Sequence, residues 1–264
     1  MEKHYNLLFF ALSLLVSCQW GVPHSTKPSI ARDTLVYTYK KVEERAADCA
    51  NEPDSACTSA KITYPVFKEQ NRLNGAVTDS LIFSLGQKPK DDPDDRAKDF
   101  LQVYMSDKNR KSNPDLVYTL EYNASVIRQD SSLVTIQIDR YLDFGEAHGD
   151  SHTGFLNWNT KAGRKIELDS IFIPGYRGQL TIVAEKIFRS EEKLSPTSSL
   201  KNYSFRDGKF ALTNNFLITP VGIRFLYNEG EIKPNADGQT ELLIPYAQIK
   251  SLLRPTTVVS QYNK

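Results

Sequence analysis

The sequence has little net charge of either sign. Among its 264 residues, 33 lysines and arginines face 32 aspartates and glutamates, which gives a formal charge of +1. A protein that works by neutralising nucleic-acid phosphates needs a basic surplus, so we expect no nucleic-acid partner. The hydrophobic share of 40% and the aromatic share of 11% are high enough for a folded core. A disordered or collagen-like chain is therefore excluded.

The common catalytic motifs are also absent from the sequence. It contains no Gly-x-Ser-x-Gly nucleophile motif and no glycine-rich phosphate loop of either common type. There are only three cysteines, and none is free if Cys49 and Cys57 pair with each other and Cys18 carries a lipid. Nucleophilic catalysis is therefore poorly supported. We predict that the protein is not an enzyme and uses no cofactor.

An apolar run at residues 7–16 is too short to cross a membrane. A transmembrane helix needs roughly 20 apolar residues, whereas a run of this length is typical of a secretory signal peptide. Residues 15–18 (LVSC) resemble a bacterial lipobox, in which the cysteine is acylated and becomes the first mature residue. We predict a lipoprotein signal peptide over residues 1–17 and a membrane-anchored envelope protein, periplasmic or surface-exposed, with its lipid at Cys18. An ordinary secretory signal and an uncleaved anchor are the alternatives.

The segment after this cysteine indicates an exported, tethered body. Residues 18–33 contain proline, serine and threonine without an apolar period, which is typical of a flexible tether. The remaining cysteines, Cys49 and Cys57, lie close together, and an exported chain meets an oxidising compartment, so we predict a disulfide. Such a bridge would contribute about 2–3 kcal/mol. Two free thiols are the alternative, and no nearby histidine or third cysteine favours a metal site there.

The hydrophobic periodicity predicts strands and helices in blocks rather than in strict alternation. Periods of two predict strands, and periods of about 3.6 predict helices. The predicted strands lie near residues 35–42, 61–67, 118–122, 134–138, 155–158, 165–168, 216–218, 223–227 and 241–244. The predicted helices lie at residues 73–85, from about 94 to 105, at 180–188 and at 246–253. This order indicates an α+β fold with mainly antiparallel sheets and flanking helices.

One cluster of residues, Glu146, His148, Asp150 and His152, contains side chains that can bind metal ions. In an extended strand the two histidines and Asp150 would project from one side, and in a helix the histidines would share a face. Imidazole and carboxylate suit zinc and similar ions, so a metal-dependent cell-wall amide hydrolase or deacetylase is the alternative function. We favour a solvent-exposed turn built on the neighbouring glycines, and therefore predict no metal.

Aromatic side chains near this cluster suggest a different kind of site. Trp158 and Tyr141 could form a platform for a sugar or a protein, although aromatic residues that alternate along strands more often belong to a core. With the two histidines they make up our candidate ligand-binding residues: Tyr141, His148, His152 and Trp158.

A longer set of motifs resembles a known family. The set comprises residues 145–149 (GEAHG), 160–163 (TKAG), 215–227 (NFLITPVGIRFLY), 231–234 (EIKP) and 244–246 (IPY). Together these motifs resemble the extracellular region of lysozyme-sensing anti-sigma factors of the RsiV type. The same region precedes the catalytic domain in peptidoglycan deacetylases of the PdaC type. The resemblance covers roughly residues 33–254.

This resemblance implies a two-part α+β module, with a smaller subdomain over residues 34–110 and a C-terminal subdomain over residues 111–264. In the anti-sigma factors the region binds lysozyme, and in the deacetylases catalysis belongs to a separate domain. The Thr-Phe-Asp-Asp motif of that domain is absent from this sequence. We therefore expect a non-catalytic module that binds peptidoglycan, a lysozyme-like hydrolase or another envelope protein. The resemblance assigns no ligand-binding residues.

Overall fold

The computed structural model of the protein describes residues 34–53, 56–82, 92–111, 116–130, 132–145 and 148–262. The predicted signal peptide, the lipid anchor at Cys18 and the tether lie outside the described residues, as does Glu146. None of the helices in the described ranges is both long enough and apolar enough to cross a membrane.

Six strands form the larger sheet, and their order in space follows their order in the chain. They are β1 Tyr37–Arg45, β2 Ser59–Phe67, β3 Thr119–Asp130, β4 Leu133–Asp143, β5 Asp150–Asn159 and β6 Arg164–Lys165. Neighbouring strands are antiparallel except β2 and β3, which are parallel. Parallel neighbours need a long crossover connection, and the segment between these two strands contains helices α1 Asn71–Ile82 and α2 Pro93–Lys111.

The two crossover helices bury the apolar faces that their sequences predict. In α1, Leu73, Val77 and Leu81 recur every four residues and are all buried. In α2, Phe100 and Tyr104 are buried in the same core. Both helices therefore pack on the six-stranded sheet, and the predicted helix positions are confirmed over the described residues, outside which residues 83–85 lie.

The C-terminal part adds a second layer around a three-stranded antiparallel sheet. Its elements are helices α3 Leu168–Ile171, α4 Arg177–Glu191 and α5 Tyr246–Ile249 and strands β7 Phe216–Ile218, β8 Gly222–Tyr227 and β9 Thr240–Pro245. The strands predicted near these positions are confirmed, and so is the α+β class. The strand predicted at residues 165–168 is wrong beyond Lys165, because Leu168 begins α3 and turns into the second core.

The two apolar cores lie on opposite faces of the larger sheet. Val134 of β4 belongs to the first core and the adjacent Leu133 belongs to the second, because successive side chains of a strand point to opposite faces. The expected boundary between residues 110 and 111 falls within the unit built on this sheet, since β2 on one side pairs with β3 on the other. The two cores divide the chain mainly after β5, and the division into subdomains over residues 34–110 and 111–264 stays a prediction.

The predicted disulfide between Cys49 and Cys57 is present. Both cysteines are buried in the first core and close the connection between β1 and β2. Beside them, the backbone N–H of Ala46 donates to the carbonyl of Thr58 at 3.0 Å. The bridge therefore ties down the connection of the edge hairpin.

The side chain of Asn157 joins the two sheets. It is 1% exposed, and its amide nitrogen donates to the carbonyl oxygen of Phe216 in β7 at 2.7 Å. Its amide oxygen accepts from the backbone N–H of Ile218 at 3.3 Å. The hydroxyl of Thr135 in β4 donates to the same oxygen at 3.1 Å. This one amide therefore hydrogen-bonds the short strand β7 to the face of the larger sheet.

A second polar contact lies farther along β5. The backbone N–H of Thr153 donates to Oδ1 of Asn228 at 2.7 Å. The carbonyl of Thr153 accepts from Nδ2 of Asn215 at 2.7 Å. Asn228 is buried and Thr153 and Asn215 are half-buried, and such polar groups are costly unless they are paired, so the two contacts help to fix the relative position of the sheets.

We predict that Asn157→Ala lowers the free energy of unfolding by about 2–4 kcal/mol, because it leaves a buried carbonyl, N–H and hydroxyl without their partner. Denaturant unfolding followed by circular dichroism measures the change. The matched control is Asn123→Ala in β3, where the asparagine is exposed; we expect a change within about 0.5 kcal/mol there. Equal effects at the two positions would contradict this role of Asn157.

Candidate functional site

A cavity of about 540 Å³ lies beside β4 and β5, between α1 and the segment that precedes β7. Ile138 and Leu156 form apolar parts of its wall. The charged side chains that line it are Asp79 from α1, Arg140 from β4 and Lys165 from β6. We call this cavity the junction pocket because both layers of the fold contribute to it.

The strand register brings Arg140 and His152 together in this pocket. The two residues are opposite each other on β4 and β5. Nη2 of Arg140 lies 2.7 Å from Nδ1 of His152, and its Nη1 donates to the carbonyl of Ser80 at 3.4 Å. A guanidinium can only donate hydrogen bonds, so Nδ1 of His152 is the acceptor. The proton of the neutral imidazole is therefore on Nε2.

The surroundings favour the neutral form of His152. Burial lowers the pKa of His152, and the nearby charge of Arg140 lowers it further, whereas Asp150 acts in the opposite direction. Burial also lowers the pKa of Arg140, but a guanidinium remains protonated in proteins. At neutral pH the pocket therefore contains a fixed cation beside an uncharged imidazole.

Gly154 keeps the space above Ile138 open. The two residues are opposite each other in the β4–β5 ladder. A Cβ atom at position 154 would lie 3.5 Å from Nη2 of Arg140 and 3.8 Å from a ring carbon of His152. A glycine inside a strand often marks a place where a ligand or another backbone approaches closely. A larger side chain at this position would project into the pocket.

The structure places one of the four candidate ligand-binding residues, His152, in the junction pocket. Trp158 is 5% exposed and belongs to the first core, so it forms no surface platform. Tyr141 follows Arg140 in β4, so its side chain points to the opposite face of the sheet. Its ring packs on Gly149, where a Cβ atom would collide with it. His148 is exposed in the turn before β5.

Arg140, Lys165 and Gly154 were not among the candidate residues. The available signal was the break in an apolar row: Val134, Ile136 and Ile138 alternate along one face of β4, and the next residue on that face is Arg140. A cation that continues an apolar strand face must have polar partners or line a cavity. Lys165 carried no comparable signal, because it is one of many charged residues near turns.

Across the ranges that the structure describes, no group of three or more histidine, cysteine, aspartate and glutamate side chains could hold a metal ion. Asp150 is exposed at the start of β5, and His152 already accepts a hydrogen bond from a cation. Since Glu146 lies outside these ranges, the absence of a metal stays a prediction.

Comparison with known proteins connects the C-terminal layer to one family. Residues 169–247 match the profile of DUF3298, described as a protein of unknown function. The fold is similar to the crystal structure of a DUF3298 family protein from Pseudomonas aeruginosa PAO1, with a TM-score of 0.70 and 22% identity over 84% of this chain and 96% of that chain. A DUF3298 family member from Bacteroides fragilis gives a TM-score of 0.66 and 23% identity over 87% and 98% of the two chains. At these identities the likeness establishes a common fold.

Two sequence relatives come from mycobacteria. The immunogenic proteins MPT64 of Mycobacterium tuberculosis and MPB64 of Mycobacterium bovis are each 22% identical to this chain over 165 aligned residues, and each match covers 58% of this chain. The chain covers 66% of each relative, just under two thirds. Arg140 and His152 lie before the region that matches the DUF3298 profile, so that match assigns them no role.

We predict that His152 makes the fold less stable in weak acid. Its pKa in the folded chain lies below the ordinary value of 6.5, so the unfolded chain takes up a proton first as the pH falls. Stability that is present above about pH 6.5 is therefore lost as the pH falls towards the pKa of the folded state. Melting temperatures at about pH 7.5 and about pH 5.5 should show a larger loss for the native chain than for His152→Gln.

His148→Gln is the control for this measurement, because His148 is exposed in the turn before β5. Its melting temperature should follow that of the native chain at both pH values. If His152→Gln loses as much stability on acidification as the native chain, the burial of a neutral imidazole has no measurable effect.

Proposed function

We propose that the protein is a non-catalytic lipoprotein of the bacterial cell envelope whose folded body binds peptidoglycan fragments in the junction pocket. The observation that carries this proposal is the pocket itself, in which a fixed cation and an imidazole stand beside an apolar wall and an open glycine position. Ligand-binding sites are commonly cavities of about 300–1,000 Å³ with a few fixed polar groups on apolar walls.

The polar groups of the pocket are arranged to hold a ligand more than to react with one. The hydroxyl of Ser80 donates to the carbonyl of Ala76 within α1, at 2.7 Å. The ring nitrogen Nδ1 of His152 accepts from Arg140. An activated nucleophile needs a base within hydrogen-bond distance, and neither of these contacts supplies that pair. This arrangement supports binding over hydrolysis.

The sequence contributes two further arguments. The lipobox before Cys18 supports an anchored position at the membrane, where the body would meet the cell wall. The resemblance to the extracellular region of RsiV-type anti-sigma factors supports a protein ligand of the lysozyme class as the second candidate. The metal-dependent hydrolase stays the alternative from another class, and elemental analysis of the purified protein tests it directly.

We expect the purified body to sediment with peptidoglycan sacculi, and Gly154→Leu to weaken this binding at least about tenfold because the new side chain fills the pocket. Cosedimentation and retention on immobilised lysozyme measure the two candidate ligands separately. The control is Arg224→Gln, because Arg224 lies on β8 and pairs with Glu241 outside the pocket. Retention on neither sacculi nor lysozyme would exclude both named ligands.

We also predict that mature protein from its native membrane begins at Cys18 and carries fatty acids there. Intact mass spectrometry should show the chain without residues 1–17 and with the added mass of the lipid. Cys18→Ser should abolish that mass, because serine has no thiol to modify. An unlipidated native chain that still begins at Met1 would contradict the anchored position.

A further inference from the structure

We propose that the junction pocket recognises the free carboxylate of a short peptide, with Arg140 as the carboxylate-binding residue. The inference rests on the proposed function and deepens it, because it names the chemical group by which the pocket would select its ligand. Peptide chains that end in a free carboxyl group are the ligand class to which it commits.

The first argument is the fixed orientation of Arg140. Its two terminal nitrogens are bonded to separate structural elements, Nη1 to the carbonyl of Ser80 in α1 and Nη2 to His152 in β5. These bonds define the plane of the guanidinium before any ligand arrives. A preoriented guanidinium loses less conformational entropy on binding, and its planar fork matches the geometry of a carboxylate.

The second argument is the charge of the pocket. Its lining contains two cations, Arg140 and Lys165, against one carboxylate, Asp79. Lys165 is half-exposed and lies 3.0 Å from Glu167. An exposed ion pair contributes little to stability, so the lysine can turn towards an anionic ligand at low cost. The positive charges of the lining therefore outnumber its one negative charge, while Asp150 at the start of β5, outside the lining, offsets part of that excess.

The third argument is what surrounds the cation. The wall next to Arg140 is made by the side chain of Ile138 and the bare backbone of Gly154, with Leu156 beyond them. A carboxylate with a small aliphatic group beside it fits such a wall, with its charged end on the guanidinium. Free phosphate is more often bound by backbone N–H groups at a helix N-terminus or in a glycine-rich loop. The central part of a strand ladder offers neither, so the pocket favours the carboxylate.

The experiment compares two forms of one peptide on the mature chain in detergent. The probe is diacetyl-L-lysyl-D-alanyl-D-alanine with a free C-terminal carboxyl group, and its C-terminal amide is the matched control. Isothermal titration calorimetry should show binding of the acid and at least about tenfold weaker binding of the amide. Arg140→Lys keeps the charge but loses the fork, so it should weaken binding of the acid by a similar factor.

Further variants separate the pocket from the rest of the surface. Gly154→Leu keeps the arginine at position 140. It should also prevent binding of the acid form of the peptide, because the leucine side chain enters the space beside the guanidinium. Arg224→Gln should bind the acid as the native chain does. Thermal unfolding of each variant identifies any that do not fold.

The comparison of the acid and amide peptides uses the native chain, so it remains a valid test even if a variant does not fold. Equal affinities for acid and amide, or no binding of either form, would overturn the carboxylate inference. If the native chain still sediments with sacculi in that case, the proposed function stands without this mode of recognition. If the native chain binds neither the acid peptide nor the sacculi, both proposals are overturned.

Discussion

The architecture depends on the burial of one face of the six-stranded sheet along its strands and of the other face near β4 and β5, with Asn157 hydrogen-bonded at the point where the second layer meets it. A sheet face that packs on apolar side chains alone can slide, because hydrophobic contact has no direction. The amide of Asn157 has direction, since its nitrogen and oxygen bond a carbonyl and an N–H of β7. The contacts of Thr153 with Asn215 and Asn228 add two more fixed points along β5. The position of the C-terminal layer follows from these bonds.

That position creates the junction pocket. The even-numbered residues of β4 and β5 fill the first core as far as Ile138, and beyond it the same face carries Arg140 and His152. Asn215, whose amide nitrogen donates to the carbonyl of Thr153 in β5, also lines the cavity. The pocket is therefore a place where the core stops and polar side chains begin. Side chains on strands are held more precisely than those on loops, which suits a binding site.

Much of this fold could be predicted from the sequence, and the reasons are visible at particular residues. The four-residue spacing of Leu73, Val77 and Leu81 predicts α1, and alternation predicts the β3–β4 hairpin. The end of β6 could not be predicted, because Ile166 and Leu168 alternate as in a strand, whereas the chain turns into α3. The residues of the junction pocket were harder to predict, because a single sequence does not show which residues of neighbouring strands lie opposite each other. The histidines drew attention by their rarity, yet the partner of His152 is an arginine twelve residues earlier, and only the antiparallel ladder brings the two together.

The central claim is that the junction pocket is the place where this protein holds its ligand. The most direct test is a crystal structure of the protein grown with a muropeptide that ends in a free carboxyl group. The account predicts density for the peptide beside Gly154, with a carboxylate oxygen within hydrogen-bond distance of the guanidinium of Arg140. A muropeptide bound on another surface, with the pocket left empty, would contradict it.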